Sequence, residues 1–182
     1  WRTYRSKSTK YAKLKDQDDR IVAVAPVVLE DIMIITKNGY GLRFNIEEVP
    51  VVGAKAAGVK AINLKDGDQV AAAFKSTTPS MYILTQRGSL KRMLQDDIPV
   101  TSRAKRGLQV LRELKNKPHR VFKAGPVFTD QGDFDLFTSQ EEVVEQDQIL
   151  QITSTTGQVT EVDLTQLSIS ERTSNGSFVN DT

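Results

Sequence analysis

Short runs of apolar, mostly β-branched residues alternate with glycine-containing turns along the chain. First strands are predicted at residues 32–36, 81–85 and 149–153, and their turn glycines are Gly39, Gly88 and Gly157. After each turn comes a second run of alternating character, as at residues 40–46 and 159–164. Because alternation with a period of two is typical of a half-buried strand, the pattern predicts β-hairpins.

Further strands are predicted outside these hairpins, at residues 20–27, 69–74, 120–123 and 133–137. Helical periodicity is weak. Residues 103–115 would hold a turn or two at most, and their repeat partner contains Gly58, which favours loop and strand. Asn38-Gly39 predicts a type I′ hairpin turn, which requires φ > 0 at both central residues. The chain is therefore predicted to be all-β.

The sequence repeats itself. Residues 34–43 align with residues 83–92 at an offset of 49 positions, and the match continues without a gap until Gly58 meets Gly107. A third copy, beginning at residue 152, lies 69 positions beyond the second and brings Gly176 over Gly107. A period near 49 residues is typical of propeller blades and similar arrays.

Two stretches depart from the repeat. Residues 1–27 end like a blade without an opening hairpin, so the chain is expected to start within a repeat. About twenty extra residues precede the third copy, with seven acids and no base from Asp130 to Asp147. They are either a degenerate hairpin or an inserted acidic one. One domain is predicted, made of the end of a truncated blade, two blades, and the acidic stretch with a final blade: residues 1–27, 28–76, 77–127 and 128–182.

Charge adds more to this picture than size does. The 182 residues are 38% hydrophobic and 26% charged, with a formal net charge of +2, as expected for a folded domain. The basic and acidic residues are separated, however. Residues 1–123 hold 24 Lys and Arg against 12 Asp and Glu, and residues 124–182 hold Arg172 against 11 acids. A basic region of this kind points first to nucleic acid, with a solvated surface as the alternative.

The repeated motifs resemble a known family. Each of the first two copies combines a Thr-x-x-Gly turn, one or two basic residues, an acidic pair before a proline, and a loop ending in glycine. These residues are Thr36, Gly39, Arg43, Glu47, Glu48 and Pro50, then Thr85, Gly88, Lys91, Arg92, Asp96, Asp97 and Pro99, then residues 102–107. The pattern resembles the C-terminal domain of bacterial type IIA topoisomerase A subunits. Residues 170–178 look like the last blade of the topoisomerase IV branch.

Within this family, the gyrase branch carries a Gln-Arg-Arg-Gly-Gly-Lys-Gly-like box on one blade. The aligned loops of this sequence, residues 54–60 and 103–109, do not match that box. Topoisomerase IV is therefore favoured over gyrase.

The resemblance implies a β-pinwheel, in which four-stranded blades of about 49 residues stand around an axis and exchange strands with their neighbours. This chain would hold a partial set of blades. The resemblance also implies a basic rim that binds and bends duplex DNA and steers DNA segments for ATP-dependent strand passage, in decatenation and relaxation. The implied partners are duplex DNA, the remainder of the A subunit, and the B subunit, which is reached through it. The implied location is the bacterial cytoplasm, at the nucleoid, with neither a membrane nor a small-molecule substrate.

Basic residues at repeated positions and on loops are the candidate DNA contacts. They are Arg5, Lys7, Lys10, Arg43, Lys55, Lys60, Arg87, Lys91, Arg92, Arg103, Lys105, Arg106, Arg112 and Lys115. Since phosphates repeat along duplex DNA, cations at equivalent positions of successive blades can follow a bent backbone. In the third copy Glu161 replaces Arg92 and Asn175 replaces Arg106, which predicts a one-sided track over the earlier blades. Aromatic residues make up only 7%, so base stacking on single strands is a weaker alternative.

Catalysis is not expected of this chain. It has no cysteine and one histidine, His119, which excludes thiolate chemistry and multi-histidine metal sites. The acidic pairs recur at one blade position, which suits a solvated turn better than a metal site. In the family the cleavage tyrosine lies in an upstream domain, and ATP and Mg act elsewhere. We therefore expect no catalytic residue, metal or cofactor here.

Other functions stay open at the level of sequence. One is the DNA-wrapping C-terminal domain of a gyrase A subunit. Another is a propeller-like scaffold that binds an acidic protein. In a further version, the acidic residues 128–148 fold over the basic rim and mask it.

Overall fold

The computed structural model describes residues 12–27, 29–53, 55–128 and 148–179. This part of the chain contains eleven β-strands and three single turns of 3-10 helix. The prediction of an all-β fold is confirmed. Each 3-10 turn directly follows the second strand of a hairpin, at Ile46–Glu48, Gln95–Asp97 and Leu164–Gln166.

The first blade is built on one hairpin and completed by its neighbour. β1 (Asp31–Thr36) and β2 (Tyr40–Asn45) form the hairpin, and β3 (Val70–Lys75) pairs antiparallel with β1. At the opposite edge, β2 pairs in parallel with β6 (Val100–Thr101) and antiparallel with β7 (Leu108–Gln109). Both of these short strands belong to the second copy of the repeat, so the two copies exchange strands.

The second blade follows the same plan. Its strands, in order across the sheet, are β11 (Ser177–Phe178), β5 (Ser89–Leu94), β4 (Ser80–Thr85) and β8 (Val121–Val127). Arg92 of β5 also forms a parallel bridge with Ile169, at the place where Arg43 pairs with Val100 in the first blade. Since β11 and Ile169 come from the third copy, this blade too is completed by the next one. The third hairpin consists of β9 (Ile149–Thr153) and β10 (Val159–Asp163).

Apolar contacts between successive blades form the core. β4 is buried along its whole length, because its side chains alternate between two neighbouring blades. Ile83 lies in a buried cluster with Met33 and Ile35 of the first blade. Leu84, on the opposite face, lies in a second cluster with Ile152 of the third hairpin. The period of two in the sequence therefore separates two apolar faces at this strand, rather than an apolar from a polar face.

The hairpin turn at Asn38-Gly39 differs from the predicted type. Gly39 has φ +84, but Asn38 is not among the non-glycine residues with positive φ, so the type I′ prediction is wrong. The turn runs from Thr36 to Gly39, whose N–H donates to the Thr36 carbonyl at 3.0 Å. The Thr36 hydroxyl accepts a hydrogen bond from the N–H of Tyr40 at 3.1 Å. A glycine that closes a three-residue loop needs positive φ only at that last position.

A side-chain hydroxyl at the first position of each turn explains why the turn motif repeats. In the second blade the Thr85 hydroxyl accepts from the Ser89 N–H at 3.2 Å, and in the third hairpin the Ser154 hydroxyl accepts from the Gln158 N–H at 3.0 Å. A hydroxyl at the first turn position thus satisfies an amide that the ladder leaves unpaired.

The predicted strands at residues 69–74 and 120–123 correspond to β3 and β8. Residues 103–115 contain no helix, and the prediction for residues 133–137 falls outside the described residues. Residues 20–27 were also predicted to form a strand, and this is wrong: they form none, and Ile21 and Val24 are 58% and 77% exposed. An apolar run becomes a strand only where an edge offers backbone partners. The strands β3 and β8 each pair with the first strand of the hairpin that precedes them, and no strand among the described residues pairs with residues 20–27.

The loop between the two short strands that a copy adds to the preceding blade, which we call the exchange loop, ends in a glycine. This glycine is required because the loop backbone lies very close to the backbone of that blade. A Cβ on Gly107 would lie 2.2 Å from the carbonyl oxygen of Gly41, and one on Gly176 would lie 2.4 Å from that of Leu90. Both carbonyls belong to the second strand of the preceding blade. The repeated glycine therefore marks where the loop of one copy lies directly on the strand of another.

Gly107→Ala is expected to destabilise the fold more than Gly157→Ala. The two glycines have nearly equal φ, +86 and +87, but a Cβ on Gly157 would meet no atom within 4 Å. Gly157→Ala should cost about 1 kcal/mol for the left-handed backbone. Gly107→Ala should cost about 3 kcal/mol, because overpacking adds to that penalty. Urea unfolding of both variants measures the difference, and equal losses would contradict the close approach.

Candidate nucleic-acid interface

The exchange loop of the second copy, residues 102–107, is anchored on the first blade by its backbone. The N–H of Ala104 donates to the Ala61 carbonyl, and the N–H of Asn63 donates to the Lys105 carbonyl, both at 2.8 Å. Ala104 has φ +63, an uncommon conformation for a residue with a side chain. The loop path is therefore set by contacts on both of its sides.

Arg103 and Arg172 clamp equivalent exchange loops. A guanidinium N–H of Arg103 donates to the Lys60 carbonyl, and one of Arg172 donates to the Gln109 carbonyl. These two carbonyls are themselves equivalent positions of the repeat. Arg103 also donates from Nε to the Glu48 carbonyl at 3.1 Å. The basic residue that the second and third copies share at this position thus binds protein backbone.

Lys91, a predicted DNA contact, lies inside the protein. It is 2% exposed, and its ammonium group donates to the carbonyls of Val110, Arg172 and Ser174 at 2.5, 2.6 and 2.8 Å. An ammonium has three N–H donors, so these bonds use all of them. Lys91 therefore joins the second blade to the loop of the third copy and is not available to a phosphate.

Burial lowers the pKa of Lys91 from 10.5 to about 7. The charge of Arg172 acts in the same direction, and that of Asp97 acts against it. A signal for this burial is present in the sequence. Leu42, which is 1% exposed, holds the same repeat position in the first copy.

Arg43 and Arg92 also make contacts within the protein. Arg43 lies between two carboxylates, with Nε 3.3 Å from Asp31 and a terminal nitrogen 2.7 Å from Asp96. Only 15% of its side chain is exposed. Arg92 donates to the Ser80 hydroxyl at 2.8 Å and to the Thr165 carbonyl at 2.7 Å. Each arginine thus reaches the 3-10 turn of the following copy.

We call these five residues the clamp cations: Arg43, Lys91, Arg92, Arg103 and Arg172. The prediction that repeated blade positions carry the DNA track therefore needs correction. A cation that recurs in the repeat does so because each blade junction needs donors for backbone carbonyls, or partners for carboxylates. The recurrence of basic residues at these positions therefore indicates contacts that hold the blades together.

Another set of predicted contacts is exposed and makes no side-chain hydrogen bond or ion pair within the part of the chain that the structure describes. We call these the free cations: Lys55, Lys105, Arg106, Arg112 and Lys115. Lys60 and Arg87 are exposed too, but Lys60 binds Asn63 at 2.9 Å and Arg87 binds the Lys117 carbonyl at 2.8 Å. The predicted contacts Arg5, Lys7 and Lys10 lie outside the described residues.

The backbone of Arg112 is held by Asn175, a contact that the sequence analysis did not predict. The side-chain amide of Asn175 accepts from the Arg112 N–H at 2.8 Å and donates to its carbonyl at 3.1 Å. Asn175 occupies the position of Arg106 in the previous copy. The substitution removes one cation and holds the backbone of another, so the third copy still contributes to a basic surface.

Within the described residues, no group of three or more His, Asp or Glu side chains could hold a metal ion. The same residues include no helix long and apolar enough to span a membrane.

Comparison with known proteins gives a family match over the first two copies. A family model described as the DNA gyrase C-terminal domain, a β-propeller, matches residues 30–77 and 80–127. Among solved structures, the C-terminal domain of DNA topoisomerase IV superposes with a TM-score of 0.68 at 35% identity, covering 84% of this chain and 43% of that one. The DNA gyrase A C-terminal domain superposes with a TM-score of 0.63 at 18% identity, covering 84% of this chain and 47% of that one, and shows the fold alone.

Two streptococcal relatives match the whole of this sequence, and a third relative matches part of it. The A subunit of DNA topoisomerase 4 from Streptococcus pyogenes serotype M3 is 61% identical over 184 residues, covering 100% of this chain and 22% of the relative. The protein of the same name from Streptococcus pneumoniae serotype 4 is 62% identical over 182 residues, with the same coverage of each chain. The one from Bacillus subtilis is 46% identical over 117 residues, 64% of this chain and 14% of the relative. The chain thus spans about a fifth of the length of the two streptococcal relatives.

Lys91→Met is expected to lower the free energy of unfolding by about 3 kcal/mol, because buried carbonyls lose their donors while the side-chain volume is kept. Lys115→Met, at an exposed position, should change it by less than about 0.5 kcal/mol. Urea unfolding at pH 7 compares the two. Similar values for both variants would show that Lys91 is not a clamp.

The effect of Lys91→Met should also grow with pH. The pKa of Lys91 is about 7 in the folded chain, against 10.5 for an unperturbed lysine. Between these values the unfolded chain holds a proton that the folded chain has released. Wild-type stability therefore rises with pH relative to the variant across this window, and falls back toward pH 7. Unfolding curves at several pH values test the sign.

Proposed function

The chain belongs to the DNA gyrase C-terminal domain family of β-propeller domains, and on that basis we propose that it is a duplex-DNA-binding C-terminal domain of a topoisomerase IV A subunit. Similarity over the whole of this sequence to curated topoisomerase 4 A subunits, of which it spans about a fifth, supports this assignment to the enzyme. The positive charge and the exposure of the exchange loops support the proposal that the ligand is duplex DNA.

One observation carries the DNA-binding proposal. Lys105 and Arg106 are adjacent, exposed and without side-chain partners in the described residues, on a loop whose backbone is anchored to the first blade. Their neighbour Arg103 is committed to backbone carbonyls. A loop that is already ordered loses little conformational entropy on binding, so the two cations meet a phosphate backbone at low cost.

The free cations favour recognition of phosphates over reading of bases. They lie on loops, and Phe122 is the one aromatic residue within the basic segment 87–123. Contacts to phosphates position a protein on duplex DNA without selecting a sequence. Any preference should therefore be for bent or crossed duplexes that meet several loops at once.

The track is proposed to be one-sided. Lys105 and Arg106 lie on the junction of the first two blades, and Arg112 lies where the third copy meets the second. At the positions of the free cations Lys105 and Arg106, the third copy has the uncharged residues Ser174 and Asn175. A duplex bent along the first two blades would therefore leave the protein near the third hairpin.

The domain is proposed to bind and bend DNA without carrying out the chemistry. Strand cleavage, ATP and Mg would belong to other parts of the holoenzyme. This domain would contact the remainder of the A subunit, with the B subunit reached through it. In that setting it steers DNA segments toward strand passage for decatenation and relaxation, at the nucleoid in the bacterial cytoplasm.

Duplex binding is expected to depend steeply on salt. If about six phosphates are neutralised, affinity should fall about a thousandfold between roughly 50 and 200 mM salt. Fluorescence anisotropy with a labelled duplex of mixed sequence measures this. A flat response to salt would contradict the proposal and favour a protein ligand.

Arg106→Glu is expected to weaken that binding at least about fivefold and to reduce the salt slope by about one. Lys123→Glu is the matched control, because Lys123 is also exposed but lies on β8, at the edge of its sheet opposite β11. It should change affinity less than about twofold, since a distant charge is screened. Equal losses in the two variants would mean that only net charge matters and would reject the exchange loop as the contact.

A further inference from the structure

The two blade junctions are built alike but differ in one buried group. In the first, the carboxylate of Asp68 accepts hydrogen bonds from the N–H groups of Asn38 and Gln69, at 2.9 and 2.8 Å. In the second, His119 holds the place of Asp68, two residues before the strand that pairs with the hairpin. His119 is 5% exposed. The proposed contacts with DNA do not involve Asp68 or His119.

The surroundings of His119 require its neutral form. The Nε2 atom lies 3.1 Å from a guanidinium nitrogen of Arg87, and the Nδ1 atom lies 3.1 Å from the Thr85 hydroxyl. A guanidinium can only donate, so Nε2 must be the acceptor and Nδ1 carries the hydrogen. A second proton on the ring would remove that acceptor and place two cations in contact at a buried site.

The same two side chains hold the exchanged strand of the third copy. The ring of Phe178, in β11, lies 6.0 Å from the imidazole ring and 5.5 Å from the guanidinium carbon of Arg87. β11 pairs with β5 at only two positions, and the Val179 N–H donates to the Gly88 carbonyl at 3.0 Å. A strand with so few backbone bonds depends strongly on the side chains packed against it.

We propose that His119 makes the junction between the second blade and the third copy acid-sensitive, while the junction between the first two blades is not. Protonation of the ring breaks its bond with Arg87, releases the guanidinium from Phe178 and loosens β11. The third hairpin is then held less firmly to the second blade.

The charges around His119 disfavour its protonation in the closed junction, as the proposal requires. Burial, followed by the positive charge of Arg87, lowers the pKa of His119 below its ordinary 6.5. Among the described residues packed against the ring, Thr85 and Phe178 bring no charge. On its own loop, Arg120 donates to the His119 carbonyl and pairs with Glu113 at 3.1 Å, and Lys117 binds Arg87 through its carbonyl. Opening the junction returns the ring to solvent, so acid favours the open form.

Hydrogen exchange at two equivalent amides tests the proposal within one molecule. The Val179 N–H bonds to the Gly88 carbonyl, and the Val110 N–H bonds to the Gly39 carbonyl at the other junction, at 2.8 Å. Titration of His119 should lower the protection of Val179 relative to Val110 by at most about tenfold between roughly pH 7.5 and 5.5, because the pKa of the ring is higher in the open form than in the closed one. A ratio that is constant over this range would overturn the proposal.

Two variants separate the histidine from other sources of acid sensitivity. His119→Asp gives the second junction the residue of the first, and a carboxylate titrates roughly two units below imidazole. Its protection ratio should therefore fall less than that of the wild type between roughly pH 7.5 and 5.5. The fall that remains belongs to Lys91, which lies at the same junction with a pKa of about 7, and a wild-type-like fall would overturn the proposal. Arg87→Gln should raise the pKa of the ring, which NMR reads without assignment because His119 is the single histidine of the sequence. An imidazole that titrates at or above about 6.5 in the wild type would also overturn the proposal.

Discussion

An incomplete strand edge is the constraint on which the structure depends. A hairpin such as β1–β2 leaves the outer backbone groups of β2 without partners, and such groups must be satisfied when they are buried. The next copy satisfies them with β6 and β7, and β11 does the same for β5. The loop between the exchanged strands must then lie directly on the preceding blade. That contact explains the glycine at position 107, where a Cβ would lie 2.2 Å from a carbonyl oxygen.

The same exchange divides the basic residues by function. Loops that lie across a neighbouring blade turn carbonyls inward, and Lys91, Arg103 and Arg172 supply donors to them. Cations at the tip of such a loop, such as Lys105 and Arg106, are left facing solvent. The basic excess of the first 123 residues therefore serves two purposes, and only the exposed part is offered to a polyanion. A domain that clamps its own loops with lysine and arginine presents its remaining cations on a rigid frame, which suits contact with a regular array of phosphates.

The sequence predicted some features of the structure better than others. The hairpins were predictable because apolar alternation and turn glycines are local signals, and the repeat offset aligned them. The burial of Lys91 was partly predictable, since Leu42 holds the same position in the first copy. Its bonds to the carbonyls of Val110, Arg172 and Ser174 were not, because those residues lie 19 to 83 positions away. Strand propensity failed at residues 20–27, because no strand among the described residues pairs with them.

By itself, the sequence determined the class of fold, the repeat and its period, the positions of the strands in each hairpin, and the separation of basic from acidic residues. These are properties of local pattern and composition, which neighbouring residues along the chain decide. Only the tertiary structure decided which cations face inward, which of two equivalent junctions holds a histidine against an arginine, and which strand completes which blade. Each of those depends on groups that are distant in sequence and meet only when one copy crosses onto the next, so no local pattern encodes them.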